Sequence, residues 1–247
     1  MKITKVILVC DAHPLYYPFA KDVYDLWDKR LGITPQLYII SNDKLSINFG
    51  NRNVKYITPI QEIPTKFQAQ VIRLLLPSLF PEDYVIISDI DMLPISKKYF
   101  GKVLKYIPNN VFLQYFHNNQ ICYNLAKGSL WKEIFEVDSL NTIISKLKEW
   151  YYEYNGAHTT DQQVLGKYLE KYDNIRFMLG NYLPEKTMIQ RLSLYSKTHL
   201  VKKIVLEDLT KYLDFHAHGI FEDEENLPYY KNIVKHLLST KKMSVTS

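Results

Sequence analysis

Ser88-Asp89-Ile90-Asp91 follows directly on Tyr84-Val85-Ile86-Ile87, a four-residue run as apolar as any in the chain. Two carboxylates one residue apart at the end of an extended run point to the same side, because side chains alternate along a strand. They can share one hard cation, Mg²⁺ or Mn²⁺, and such an ion completes its shell with water and substrate phosphates. A diphosphate is the natural partner of that arrangement. The same spacing also occurs in solvated turns, and the buried run ahead of it favours the functional reading.

Several elements must position this pair. Val6 to Cys10 is apolar without polar alternation, the pattern of a strand buried on both faces in a parallel sheet, and it ends at Asp11-Ala12-His13-Pro14. Phe19, Val23, Leu26 and Trp27 recur at helical spacing between Phe19 and Arg30, with Gly32 as a stop signal. Gln36 to Ile40 and Asn51 to Ile57 read as strands, and Thr65 to Leu79 reads as a helix with a stripe of Phe67, Val71, Leu74, Leu75 and Phe80. The acidic pair then stands at the end of a buried strand, where an open α/β sheet places its ligand. Val111 to Phe116, Gln120 to Tyr123 and Lys203-Ile204-Val205 read as further strands and Ser139 to Tyr154 as an amphipathic helix. Thr160 or Asp161 is placed to cap a helix that runs on to Tyr172. The expected architecture is α/β, with a mainly parallel central sheet flanked by helices. One domain is expected over residues 1–230, with a first half at about 1–100 and a second at about 101–230, followed by a basic helix or tail over 231–247.

A chain of 247 residues, 47% of them apolar, can bury a full core. No apolar run approaches the roughly 20 residues that span a bilayer, and the first residues lack a signal-type core, so a cytoplasmic protein is expected. Cys10 and Cys122 are the only cysteines, which excludes a disulfide framework and a thiolate zinc site. The net charge of +5, without a basic block interleaved with aromatics, argues against nucleic acid and suits a small anionic substrate. The 20 Tyr and 11 Phe offer faces for a pyranose ring, although aromatics fill cores first.

The stretch from Arg73-Leu74-Leu75-Leu76-Pro77 through Ser88-Asp89-Ile90-Asp91-Met92-Leu93-Pro94 resembles the nucleotide-sugar glycosyltransferases of the GT-A fold, which carry an Arg-Leu helix ahead of an Asp-x-Asp strand. Thr159-Thr160-Asp161-Gln162-Gln163-Val164-Leu165 is similar to the Asp-Gln-x-x-Leu segment of retaining members, and His216-Ala217-His218-Gly219 lies where the family supplies a metal-binding histidine. The chain departs from the glycogenin-like branch at His117-Asn118-Asn119-Gln120.

The resemblance implies transfer of a sugar from a UDP- or GDP-sugar donor to a hydroxyl acceptor such as a glycan, in a Rossmann-like single domain whose half at about 1–100 would bind the nucleotide sugar and whose half at about 101–230 would bind the acceptor. Asp91 would bind the metal, and Asp89 would bind it or the donor ribose. His216 or His218 would add nitrogen, which favours Mn²⁺ over Mg²⁺. The metal would neutralise the diphosphate and the charge growing on the leaving group. Asp11, His13, Tyr16 and Tyr17 lie on the loop that would grip the base, and Lys66 and Arg73 would reach the phosphates. Asp161 and Gln162 would work at the sugar, with Asp161 as general base in an inverting enzyme or as part of the region that orients the donor in a retaining one; the segment favours retention.

Two other classes fit parts of the pattern. A haloacid-dehalogenase-type phosphatase would use the first Asp as nucleophile, but its motif normally lies on the first strand. A non-catalytic nucleotide-sugar binding module would have no need of a metal clamp on a leaving group. Lys231, Lys235 and Lys241-Lys242, interleaved with Ile233, Val234, Leu237 and Leu238, also read as an amphipathic helix that packs on the domain or contacts an anionic membrane surface.

Overall fold

The computed structural model describes residues 1–182, 191–193, 209, 211–222 and 224–239. The chain opens with β1 (Lys5–Asp11), α1 (Phe19–Asp25), β2 (Pro35–Ile40) and β3 (Val54–Ile57), continues through α2 (Thr65–Ile72), β4 (Tyr84–Ser88) and β5 (Met92–Pro94), then β6 (Phe112–Gln114) and β7 (Asn124–Lys127). Three helices follow, α3 (Gly128–Phe135), α4 (Leu140–Glu153) and α5 (Thr160–Leu169), and then β8 (Arg176–Met178), β9 (Leu192–Ser193), β10 (Asp214–His216) and α6 (Leu227–Ser239). A seven-stranded sheet has the order β3-β2-β1-β4-β7-β6-β8, and a three-stranded sheet has the order β5-β10-β9. Within the large sheet only β7 runs against its neighbours β4 and β6, so the sheet is mostly parallel.

The apolar runs without alternation are buried on both faces, as their sequence requires. Val6, Leu8 and Cys10 of β1 face one cluster with Phe19, Val23 and Trp27 of the α1 segment and Ile233 and Leu237 of α6. Ile7 and Val9 face a second cluster with Phe67 and Val71 of α2, Trp131 of α3, Trp150 of α4 and Val164 of α5. Each such fully buried aliphatic side chain contributes about 1.5–3 kcal/mol relative to exposure.

Three expectations need correction. The helix from Thr65 stops at Ile72, with Arg73 as its C-cap, and a separate 3-10 turn covers Leu76–Leu79. Past Ile72 the bonds tighten to the i−3 pattern, Leu74 N–H to the Val71 carbonyl and Leu75 N–H to that of Ile72, and Pro77, with no N–H for the Arg73 carbonyl, keeps the α-helix from resuming. Gln120 to Tyr123 is not a strand, because Asn118, Asn119 and Tyr123 adopt left-handed backbone (φ 59°, 54° and 60°) and pairing begins only at Asn124. The helix from Thr160 has Thr159 at its N-cap, so neither Thr160 nor Asp161 caps it, and it gives way to a 3-10 turn after Leu169. The helix at Gly128–Phe135 was not anticipated. The helix expected from Ser139 is α4, and Ser139 caps it, accepting from Thr142 N–H at 3.3 Å. Lys203-Ile204-Val205 and Lys241-Lys242 lie outside the described residues.

The apolar positions of α6 are turned inward: Tyr230, Ile233, Val234 and Leu237 are buried, and Arg30 Nη1 donates to the Leu237 carbonyl at 3.0 Å. Among the described residues no helix is long and apolar enough to cross a membrane.

Candidate metal and anion site

β1 and β4 are neighbours, but the strands beyond them extend to opposite sides, β2 and β3 past β1 and β7 past β4. A crevice forms at such a switch point, outside the carboxyl ends of the strands. A cavity of about 330 Å³ lies there. Its floor is Val9, Cys10 and Asp11 at the end of β1 with Asp89, Ile90 and Asp91 beyond β4. Lys66, Ala69, Gln70 and Arg73 line it from one face of α2 and its C-cap, and Tyr16, His158 and His218 complete the wall.

The chain turns as it leaves β4, with Met92 N–H donating to the Asp89 carbonyl at 3.3 Å. Strand alternation therefore does not govern residues 89–91, and the two carboxylates take different partners. Asp89 is ion-paired with Arg73 Nη1. Asp91 is buried, and its Oδ2 lies 3.4 Å from both His216 Nε2 and His218 Nδ1. The small sheet brings these groups together. β10 pairs antiparallel with β5, His216 stands opposite Met92, and Ala217 N–H donates to the Asp91 carbonyl at 2.9 Å. Gly219 then turns the chain at φ 72°, a backbone that a side chain would strain. Behind β10, Arg191 Nε donates to Oδ1 of the fully buried Asp214 at 2.9 Å, which ties the start of β9 to β10.

Asp91, His216 and His218 each offer one ligand atom, and the three atoms lie within 4.8 Å of one another. Ligands about 2.1 Å from an ion stand roughly 3.0 Å apart when cis in an octahedron and about 3.4 Å apart in a tetrahedron, so the two 3.4 Å separations fit a divalent cation. Asp89 is outside this group. Burial alone would push the Asp91 carboxyl up, but hydrogen bonds and charge from His216 and His218 outweigh it and hold the group well below the usual carboxylate range. The hydrogen bond to Asp91 raises His218 above its ordinary value against a smaller opposing effect of burial.

Arg73 also reaches across to α5, where its Nη2 donates to Asp161 Oδ2 at 2.8 Å. Asp161 is only 1% exposed, and its Oδ1 accepts the Gln162 backbone N–H at 2.8 Å. Gln162 is exposed, and neither residue lines the cavity. Asp11 lines it with both oxygens engaged, Oδ2 accepting the Thr65 hydroxyl at 2.9 Å and Oδ1 the His13 N–H at 3.1 Å. Tyr16 stands 6.2 Å from the His218 ring and 5.7 Å from His13, which is exposed and outside the wall. Tyr17 is half-buried against the core. The structure thus brings Asp11, Tyr16, Lys66, Arg73, Asp89, Asp91 and His218 to one cavity, sets His216 behind Asp91, and leaves His13, Tyr17, Asp161 and Gln162 off its wall.

Sequence reasoning missed Ala69, Gln70 and His158. The first two were within reach, since they lie one turn from both Lys66 and Arg73 on the same helix. His158 had no such signal, because the turn before α5 carries it in, with the His158 carbonyl accepting from Gln70 Nε2. Compared with known proteins, the chain matches no family model, and no curated protein sequence is significantly similar to it.

Proposed function

We propose that this chain is a divalent-metal-dependent glycosyltransferase of the GT-A type, which moves a sugar from a nucleoside-diphosphate donor to a hydroxyl acceptor. One observation carries the reading. The cavity at the sheet's switch point sets a cluster of cation ligands, Asp91 with His216 and His218, against the two cationic side chains Lys66 and Arg73. A diphosphate that arrives with a metal satisfies both walls at once, since its charge needs neutralising and the ion needs oxygen ligands beyond the protein's own.

In transfer, the acceptor oxygen bonds to the anomeric carbon, the bond from that carbon to the diphosphate oxygen breaks with its electron pair, and the hydroxyl proton passes to the departing diphosphate. A divalent ion held there would supply charge for the leaving diphosphate. Asp91, His216 and His218 would hold it, with the nitrogens favouring Mn²⁺ over Mg²⁺. Lys66 and Arg73 would orient the phosphates and share their charge, and the Tyr16 ring on the cavity wall would stack on a base. Retention of anomeric configuration follows the likeness of residues 159–165 to retaining enzymes, and anomer analysis of the product tests it.

Calorimetric titration of UDP, GDP and their sugar derivatives, with and without Mn²⁺, into the wild type and Asp91→Ala is the direct test. Metal-dependent binding of one donor that is lost in the variant is expected. Binding of no panel member, with phosphate released from simple monoesters, would replace this reading by the phosphatase one.

A further inference from the structure

We infer that Asp161 is a positioning residue that holds the Arg73 guanidinium toward the diphosphate, and is not the base that receives the acceptor proton. The inference rests on the donor reading above. Asp161 is 1% exposed and absent from the cavity wall, whereas Arg73 forms part of that wall. Oδ2 of Asp161 accepts from Arg73 Nη2 at 2.8 Å, and Oδ1 accepts from the Gln162 N–H at 2.8 Å. A general base must come within hydrogen-bond reach of the hydroxyl it deprotonates. Both oxygens of Asp161 are engaged inside the fold, with no surface toward the ligand.

Arg73 shows what the carboxylate does instead. It sits at the C-cap of α2, with its side chain spanning Asp89 beyond β4 and Asp161 in the first turn of α5, so the guanidinium plane is fixed from two sides. A guanidinium has five N–H donors in a rigid fork. The two carboxylates engage Nη1 and Nη2, and each of these nitrogens keeps a second N–H for phosphate oxygen. Without Asp161 the fork has one anchor, Asp89 in the floor of the cavity. A residue in the second half of the chain thereby fixes a cavity residue in the first.

The test is titration of UDP, GDP and inorganic diphosphate with Mn²⁺ into the wild type, Asp161→Asn and Arg73→Lys, alongside Mn²⁺ alone. Asp161→Asn keeps the shape and one acceptor oxygen but removes the charge. It is expected to weaken diphosphate binding about 10- to 100-fold, the range for loss of a hydrogen bond to a charged group, with Mn²⁺ affinity unchanged. Arg73→Lys, which loses the fork, should weaken diphosphate by a similar factor. Wild-type diphosphate affinity in Asp161→Asn, together with loss of turnover, is the result of a general base and overturns the inference. Should Asp161→Asn fail to fold, undiminished diphosphate binding by Arg73→Lys overturns it equally. Wild-type protein that binds none of the ligands rejects the donor reading and this inference together.

Discussion

With His218 as a ligand in the proposed metal site, a proton and the cation would compete for it, and the stabilisation conferred by Mn²⁺ should then grow with pH. An imidazole must be neutral to ligate. For an imidazole of ordinary pKa, about 6.5, protonation weakens apparent metal affinity by about elevenfold at pH 5.5 and hardly at all at pH 8. The hydrogen bond to Asp91 raises His218 above that value, so the loss exceeds this factor. An elevenfold change is about 1.4 kcal/mol of ligand-linked stability when metal is in excess. In a domain of this size about 1 kcal/mol moves Tm by about 2–4 °C, so the Mn²⁺-induced rise should shrink by at least about 3–6 °C between pH 8 and pH 5.5. Without metal the sign reverses. The raised His218 stabilises the fold below its ordinary value of 6.5 and loses that contribution as pH rises through its folded pKa. The depressed Asp91 contributes above its ordinary value of 3.8 and loses that only as pH falls through its lowered pKa. Scanning calorimetry with Mn²⁺ or with chelator at both pH values reads the two trends. A Mn²⁺-induced rise that is equal at the two pH values, or larger at pH 5.5, would refute the assignment of His218 as a ligand.

Two further predictions concern the frame behind the site. Gly128→Ala should destabilise the fold by several kcal/mol, roughly 3 or more by the measure of severe overpacking, because an added Cβ would lie 2.0 Å from the Phe80 carbonyl oxygen and 2.9 Å from that of Pro77, both backbone atoms; chemical denaturation would measure it. Arg191→Met leaves Asp214 buried, ionisable and unpaired, and should cost about 3–5 kcal/mol, with partial recovery in the double variant Arg191→Met/Asp214→Asn; additivity of the two single losses would show that the pair does not hold β9 to β10.

The burial-driven elements were legible from the residues alone. Val6 to Cys10 and Tyr84 to Ile87 are apolar without alternation, the pattern of a strand covered on both faces, and the segment from Ser139 to Tyr154 shows its helix by its amphipathic spacing. Asp89 and Asp91 at a strand end were likewise visible as candidate ligands. Their division of labour was not. A turn at residues 89–91 separates the carboxylates, one to Arg73 and one to two histidines more than a hundred residues away, and the β5/β10 register that delivers those histidines has no local signal. The same holds for Asp161, whose position at the start of a helix reads as a cap but which lies buried against Arg73. Local sequence determines which backbone a segment prefers and which face it must bury, because those free energies depend on near neighbours. Which charged groups meet depends on the packing of whole elements against one another, and only the tertiary structure decides it.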